Sequence, residues 1–339
     1  MKIFTVIFIG LSFVGFTQKS EYDYNIKENN LEKHPIDFSV KLNPIFTDFS
    51  NDNSVLGFNT EFHFRMNTIM SFYGGYNGSY FNIKPEVVNA NSSDRAYNGV
   101  VADDYVPYKY LNGSVTLFLW TDLYEGKSKL SLPKEVKNGK KQRYFLELDK
   151  IEKLRQFGLR VGSGVYQGQV AEKGVEFDGH NDFDSLPINY LVNTAGSNYS
   201  SIKYSLFSGG FSYEQINHLS INVKDSLGII NKKNHWRIYT DVLYAQNMEI
   251  GNMLFTWDDG SGEQAAEYEL QKFTIPRQGD DFRPELFGYR IGFDFNSTGK
   301  VGHSYGVEVG SRPGTGSFLA RTYLNAKVGM SLNFKVIKY

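Results

Sequence analysis

The sequence closes on a long and strict alternation of side chains. From Phe318 to Phe334 every even position is apolar, alanine or threonine, whereas the odd positions include Arg321, Asn325 and Lys327. Residues two apart lie on the same face of a β-strand, so this segment predicts one strand with an apolar face and a mostly polar face. It is about three times as long as the usual strand of roughly five or six residues. The fold must therefore give the apolar face of a very long strand an apolar environment and its other face a polar one.

Two further segments repeat this pattern. Leu56–Met66 and Phe287–Phe295 each place aromatic and aliphatic residues on one face and small, polar or charged residues on the other. A tilted strand of about ten residues already crosses a bilayer, with lipid against its apolar face and its polar face toward the barrel interior. Closure of the sheet satisfies every backbone group, as a membrane requires. The sequence predicts an all-β fold, an antiparallel up-and-down transmembrane β-barrel.

The number of strands depends on several further segments that alternate less regularly. In Trp236–Tyr244, for example, Arg237 and Asp241 share a face opposite Trp236, Ile238 and Val242. The remaining candidate strands are Ile36–Asp48, Tyr105–Leu123, Phe157–Gln169, Ser201–Tyr213, Met248–Trp257, Glu267–Ile275 and Val301–Gly310. Both termini on one side of the membrane require an even number. We predict about 12 strands, with 10 or 14 acceptable, and expect Thr121–Gln156 to be the source of any miscount, since Leu148–Phe157 also fits a helical turn.

The N-terminus reads as an export leader. Lys2 precedes an apolar run, Ile3–Phe16, which is short for a spanning helix of about 20 residues, and Gly15 and Thr17 occupy the small-residue positions of a cleavage site. A retained N-terminal anchor helix is the alternative. We predict a signal peptide over residues 1–17 and a flexible periplasmic segment over residues 18–34. A single barrel then covers residues 35–339, with long external loops near 85–104 and 171–198. The predicted location is the outer membrane of a Gram-negative bacterium.

Composition excludes several classes of function. The chain has no cysteine, which excludes disulfides, thiolate metal sites, a cysteine nucleophile and a lipidated cysteine. Its 36 Lys and Arg against 37 Asp and Glu remove the electrostatic case for a nucleic-acid partner. No phosphate-binding glycine motif or dinucleotide fingerprint is found, so no cofactor is expected.

The predicted leader, the Asn- and Tyr-rich chain dotted with glycine, and the final Ala326–Phe334 together resemble the outer-membrane β-barrels of Bacteroidota. This resemblance is to a class, and it implies outer-membrane lipid and the barrel-assembly machinery as partners. It also implies a C-terminal assembly signal that ends in an aromatic residue. Phe334 fits the alternation, and Tyr339 is the actual terminal aromatic, so either residue can serve.

An enzyme is the first alternative function. His218 and Ser220 lie two apart on one face of a predicted strand, as a nucleophile and its base require. Outer-membrane lipid hydrolases resemble this His-x-Ser core, but the asparagine that follows it in them is replaced here by Ile221. The prediction is a protein without catalytic residues, with a lipid hydrolase kept as the alternative.

Metal binding is considered for two acidic loops, Glu176–Asp184 and Trp257–Glu263. Their oxygen ligands suit Ca²⁺, but the order of residues lacks the glycine of the twelve-residue calcium loop at its required place. We interpret both as solvated loops and predict no metal site.

Charged residues on the polar faces of the strands are the strongest functional candidates. We expect the following side chains to face the lumen: Glu61, His63, Arg65, Arg290, Asp294, Glu308, Arg321 and Lys327. Mixed signs around a lumen either select ions in a narrow pore or pair across it and close it. The predicted function is a non-enzymatic outer-membrane barrel, which is either a porin-like narrow channel or a structural or accessory component of an envelope complex. A secreted soluble protein that binds glycans through its aromatic residues is a further alternative.

Overall fold

The computed structural model describes the strands of the chain and the turns beside them. The described residues are 24–28, 36–50, 54–66, 68–83, 99–102, 107–131, 135–137, 140–142, 145–172, 198–223, 228–250, 253–258, 263–268, 285–297, 300–314 and 321–335. The predicted signal peptide and most of the two predicted long loops lie outside these residues. No helix in the described part is long and apolar enough to cross a membrane.

Ten of the described strands form one antiparallel barrel. They are β2 (Ile36–Ser50), β3 (Ser54–Met66), β4 (Met70–Ile83), β6 (Lys109–Ser131), β9 (Phe145–Glu172), β10 (Asn198–Val223), β11 (Gly228–Ile250), β14 (Phe287–Ser297), β15 (Val301–Ser311) and β16 (Thr322–Lys335). Each pairs with its neighbour along the chain. The last strand, β16, pairs with the first, β2, so the sheet has no free edge.

The prediction of about 12 strands is therefore wrong by two. The surplus strands were Met248–Trp257 and Glu267–Ile275. In the structure β12 (Met253–Asp258) and β13 (Glu263–Tyr268) pair with each other, and β12 also pairs with β5 (Gly99–Ala102), in a separate three-stranded sheet. Short alternating segments fit a loop hairpin and a barrel wall equally well, so periodicity alone could not separate them.

The region that we expected to cause the miscount, Thr121–Gln156, contributes the end of β6 and the start of β9, which pair with each other as consecutive wall strands. Leu148–Phe157 is extended rather than helical. A bulge lies within it, where Lys150 adopts a φ of 56°, and the register shifts between Gly126 and Ser128 on the paired strand.

We call the end of the barrel where β3, β6, β10 and β14 finish the turn end, and the opposite end the loop end. The barrel's first strand begins and its last strand finishes at the turn end. Within the N-terminal segment expected to be flexible, β1 (Tyr24–Glu28) pairs with the part of β10 that reaches beyond the turn end. The remaining short strands, β7 (Glu135–Lys137) and β8 (Lys140–Gln142), form a hairpin in the connection between β6 and β9.

The outer surface of the barrel is apolar on every side. Exposed aliphatic and aromatic side chains are carried by each of the ten strands, for example Phe62 on β3, Phe211 on β10, Phe293 on β14 and Val328 on β16. Soluble monomers rarely expose contiguous apolar patches of more than a few hundred Å². An exterior of this kind is stable in lipid and unfavourable in water.

Two neighbouring strand pairs, β6 with β9 and β10 with β11, project beyond the turn end. β4 pairs with β6 only as far as Leu117, whereas β6 continues to Ser131 with β9 as its partner. We call residues 124–131 of β6 and 145–153 of β9 the turn-end hairpin. Its apolar side chains, Leu130, Leu146, Leu148 and Ile151, form a buried cluster with Leu219 and Ile221 of β10.

The turn-end hairpin covers the outer face of β10. By alternation, Leu219 and Ile221 lie on the same face of that strand as the exposed Phe211. The opposite face of the hairpin is charged and exposed, with Lys127 3.7 Å from Asp149 and Lys129 3.5 Å from Glu147. The hairpin therefore buries the apolar residues of β10 that extend beyond the barrel at the turn end. Its other face presents charged side chains to water.

Candidate functional site in the barrel lumen

Most of the residues that the sequence placed in the lumen are buried inside the barrel. Glu61, His63 and Arg65 follow one another at alternate positions of β3, and Arg290 and Asp294 share a face of β14. In addition, Glu308 of β15 and Lys327 of β16 are half-buried in the same interior. Arg321 lies instead at the loop end, where its Nη1 donates 3.0 Å hydrogen bonds to the backbone carbonyls of Phe287 and Arg312.

Three of these side chains, Glu61, Asp294 and Lys327, belong to one chain of ion pairs in the middle of the lumen. The Nζ of Lys327 donates to Glu61 and lies 2.8 Å from a carboxylate oxygen of Asp294. Arg237 donates to the other oxygen of Asp294, and Lys41 lies 3.3 Å from Glu61. Each carboxylate thus serves two cations, which compensates for the removal of these charges from water.

A second group of charges lies toward the loop end. The carboxylate of Asp241 accepts a 2.7 Å hydrogen bond from the Nε of Arg290 and lies 3.1 Å from the Nη1 of Arg160. Glu308 accepts hydrogen bonds from the hydroxyls of Tyr239 at 2.6 Å and Tyr323 at 2.8 Å. Arg290 joins the two carboxylates, since its Nη1 lies 3.8 Å from Glu308.

Tyrosine rings fill the space between the charged groups. The guanidinium carbon of Arg160 lies 4.1 Å from the ring centre of Tyr239, and that of Arg237 lies 4.3 Å from the ring centre of Tyr73. A guanidinium over an aromatic face is stabilised by the ring quadrupole, most strongly where water is excluded. At the loop end Arg312 is paired with Asp48 and lies 3.9 Å from the ring centre of Tyr323.

Glycines make room for this filling. A Cβ on Gly306 would lie 2.0 Å from the side chain of Lys327, and one on Gly292 would lie 2.2 Å from the ring of Tyr239. Both positions face the lumen, so the absence of a side chain there is what allows the long side chains of the neighbouring strands to cross it.

Within the described residues, side chains therefore fill much of the lumen. A cavity of about 30 Å³ remains, bordered by Glu61, Tyr73, Tyr110, Arg290 and Lys327 among others. That volume holds about two water molecules.

A separate polar cluster lies nearer the turn end. His63 of β3, Glu214 of β10 and His235 of β11 place one nitrogen or oxygen atom each within 4.8 Å of one another. The Nε2 of His235 is 3.0 Å from Glu214, and the hydroxyl of Ser71 donates to the same carboxylate over 3.3 Å. Two imidazoles and a carboxylate are ligands that zinc and related metals accept.

The remaining residues that the sequence singled out lie away from the lumen charges or outside the described part of the chain. Ser220 is buried, and in the ladder it stands opposite Asn231 of β11 and Glu28 of β1; the side chain of His218 lies outside the described residues. The ring of Phe334 is on the outer face, 5.8 Å from the ring of Phe38. Tyr339 and the acidic segment Glu176–Asp184 also lie outside the described part.

Several charged residues of the lumen were not predicted from the sequence. These are Lys41, Asp48, Arg160, Glu214, His235, Arg237, Asp241 and Arg312. A signal was present for Arg237 and Asp241, which alternation already placed on one face of a strand. Glu214 and Arg160 are on long strands whose faces are mixed, and only the pairing of the strands identifies their inward positions.

Comparisons with known proteins give distant similarities. No protein-family model matches the chain, and no curated protein matches it at a significant level. Among solved structures, the chain is similar to a mutant of TodX, a monoaromatic hydrocarbon channel, with 7% identity over 89% of this chain and 91% of that chain, and a TM-score of 0.24.

Two further structures are similar over comparable lengths. OccK2 of Pseudomonas aeruginosa in complex with glucuronate has 9% identity over 91% of this chain and 100% of that chain, with a TM-score of 0.17. The outer membrane protein OmpT of Vibrio cholerae has 9% identity over 88% of this chain and 99% of that chain, with a TM-score of 0.15. At these scores the similarities support no conclusion about function, and they do not bear on the Bacteroidota resemblance.

Proposed function

We propose that this protein is an outer-membrane β-barrel with a closed lumen, acting as a structural or accessory component of the cell envelope. The observation that carries the proposal is the filling of the lumen by paired charges and tyrosine rings. The porin-like channel considered from the sequence would need a continuous aqueous path through the same space.

The apolar exterior supports a membrane location. Exposed side chains such as Phe62, Phe293 and Val328 lie on the opposite face of their strands from the buried charges. A closed barrel leaves no unpaired strand edge, so its backbone is satisfied in lipid. Together with the export leader expected over residues 1–17, this favours the outer membrane of a Gram-negative bacterium.

The chemistry of the lumen favours a closed resting state. A passing ion would have to separate Lys327 from Asp294 or Arg237 from Asp294, and these three side chains are largely buried. Breaking a buried pair by removing one partner costs about 3–5 kcal/mol. The opposing charges hold one another across the lumen and so resist displacement by a solute.

An accessory role is supported by the turn-end hairpin. Its charged face, which includes Lys129 and Glu147, projects beyond the turn end of the barrel and is exposed. We place the turn end in the periplasm, because β2 begins there directly after the periplasmic segment expected over residues 18–34. The charged surface is then accessible to other envelope components.

Planar-bilayer recordings test the closed lumen. Wild-type protein should give no steady ion current, and a double variant, Arg237→Ser with Asp294→Ser, should conduct because it removes a buried pair without changing the net charge. The matched control, Lys129→Ser with Glu147→Ser, removes an exposed pair of the same signs from the turn-end hairpin and should remain silent. A steady wild-type current as large as that of the lumen variant would contradict the proposal and support a narrow channel.

A further inference from the structure

We infer that His63, Glu214 and His235 form a binding site for one divalent transition-metal ion, of which Zn²⁺ is the reference. The three residues come from β3, β10 and β11, and their ligand atoms lie within 4.8 Å of one another. The site is distinct from the ion pairs in the middle of the lumen and does not depend on whether the barrel conducts.

The strongest indication is an unsatisfied nitrogen. His63 is only 7% exposed, and within the described residues its Nε2 has no hydrogen-bond partner. Buried polar atoms are nearly always paired, so an orphaned imidazole nitrogen calls for a ligand or an ordered water. A metal ion bound through this nitrogen would satisfy it.

The donor set selects the class of metal. Two imidazole nitrogens and one carboxylate oxygen suit Zn²⁺ and neighbouring first-row ions, whereas Ca²⁺ and Mg²⁺ prefer oxygen ligands alone. Glu214 is already 3.0 Å from the Nε2 of His235, close to the spacing of two ligands on one zinc ion. Only His63 has to approach by a small side-chain movement.

The surroundings are also those of a metal site. Ser71 donates a hydrogen bond to Glu214 over 3.3 Å, which fixes the orientation of the carboxylate. Two cations that act electrostatically on His63, Arg237 and Lys41, are each engaged by another carboxylate, Asp294 and Glu61 respectively. Their charges are therefore compensated locally.

The arrangement leaves a coordination position open and a route to it. Three protein ligands complete a tetrahedron only with a water or another small ligand. The side chain of His235 retains 12% exposure, and its strand begins at the turn end. The ion would enter from that side.

Binding would connect walls of the barrel that do not pair with each other. β3 pairs with β2 and β4, whereas β10 and β11 pair with each other and with β9 and β14. A metal held by His63 on one side and by Glu214 and His235 on the other would therefore link the two walls near the turn end. We expect the bound ion to slow unfolding of the barrel.

Zinc titration of tag-free, full-length protein folded in detergent tests the inference. Competition with a chromophoric chelator should give one Zn²⁺ per wild-type chain, and X-ray absorption at the zinc edge should show two imidazole ligands. His63→Gln and His235→Gln should each weaken binding about 100-fold or more, and Ser71→Ala about 10- to 100-fold, as supporting residues usually do. The matched control is His303→Gln, on the exposed outer face of β15, which should bind as wild type does.

The test separates loss of the site from loss of the fold. Heat-modifiable gel migration reports whether each variant barrel is folded, and only folded variants are titrated. If His63→Gln and His235→Gln both fail to fold, the wild-type stoichiometry and the absorption spectrum still decide the inference. Absence of stoichiometric Zn²⁺ on wild type, a spectrum without imidazole ligands, or undiminished binding by either folded variant would overturn it.

Discussion

Asp294→Asn is the most informative single change in the lumen, because Asp294 holds two cations at once. Its carboxylate accepts a hydrogen bond from Arg237 and lies 2.8 Å from the Nζ of Lys327. The side chains are 5% exposed for Asp294, 3% for Arg237 and 13% for Lys327. Asparagine has nearly the same shape, so the substitution removes the charge without opening a cavity.

The expected cost follows from this burial. Removing one partner of a buried ion pair typically destabilises a protein by about 3–5 kcal/mol, because the other charge stays buried without compensation. Asp294 compensates two cations, so we expect a loss in the upper part of that range. An exposed pair gives the contrast: the side chains of Lys129 and Glu147 are 47% and 72% exposed, and such pairs contribute about 1 kcal/mol or less.

Urea unfolding of the barrel in lipid vesicles measures the loss of stability at the buried pair and at the exposed pair. Folded and unfolded protein are separated by gel migration. Asp294→Asn should lower the free energy of unfolding by several kcal/mol, and Glu147→Gln should lower it by no more than about 1 kcal/mol. Adding Arg237→Met to Asp294→Asn should recover part of the loss, because within the described residues Asp294 is the one carboxylate in ion-pair distance of Arg237, whereas Lys327 keeps Glu61 as a partner.

Equal losses for Asp294→Asn and Glu147→Gln would refute the reasoning, since they would mean that the lumen is as wet as the surface. Strict additivity in the combination with Arg237→Met would refute it too. In that case the ion pair would contribute nothing beyond the separate side chains.

Three other predictions test the barrel wall, its exterior and the turn-end hairpin. Gly210→Ala should destabilise the barrel by about 2 kcal/mol or more, because its Cβ would lie 1.8 Å from the carbonyl oxygen of Thr240, whereas Gly209→Ala, with nothing within 4 Å, should be tolerated in the same unfolding assay. Phe293→Arg should cost about 2–4 kcal/mol in vesicles if this exposed position faces the middle of the bilayer, and a neutral result would place it in water. Leu148→Ala, at a fully buried position, should cost about 2–5 kcal/mol locally and speed tryptic cleavage of the turn-end hairpin, while gel migration of the barrel itself remains heat-modifiable.

Much of the barrel wall could be predicted from the sequence, because lipid and lumen impose opposite polarities on the two faces of a strand. Leu56–Met66 is the simplest case. Its odd positions are all buried and its even positions are exposed or half-buried, as the alternation requires. Phe287–Phe295 shows a comparable alternation, since β14 pairs with both of its neighbours without a register shift.

The strand number could not be predicted, because it depends on which segments pair. Met253–Asp258 alternates as the wall strands do, yet its partners are Glu263–Tyr268 and Gly99–Ala102. The interior partners were inaccessible for the same reason. Lys327 and Glu61 are far apart in the sequence and meet only because β16, β2 and β3 are consecutive in the closed sheet.

The two conclusions about this protein, a closed lumen and a metal-binding cluster, depend on the same geometric quantity. The diameter of a barrel grows with its strand number, and about eight strands already give an interior that side chains can fill. With ten strands, Lys327 reaches both Glu61 and Asp294, and His63 reaches toward Glu214 and His235. Two more strands would widen the interior and increase the distance between opposite walls such as β3 and β10. The contacts on which both proposals depend, above all that of His63 with Glu214, therefore require a barrel of about this strand number.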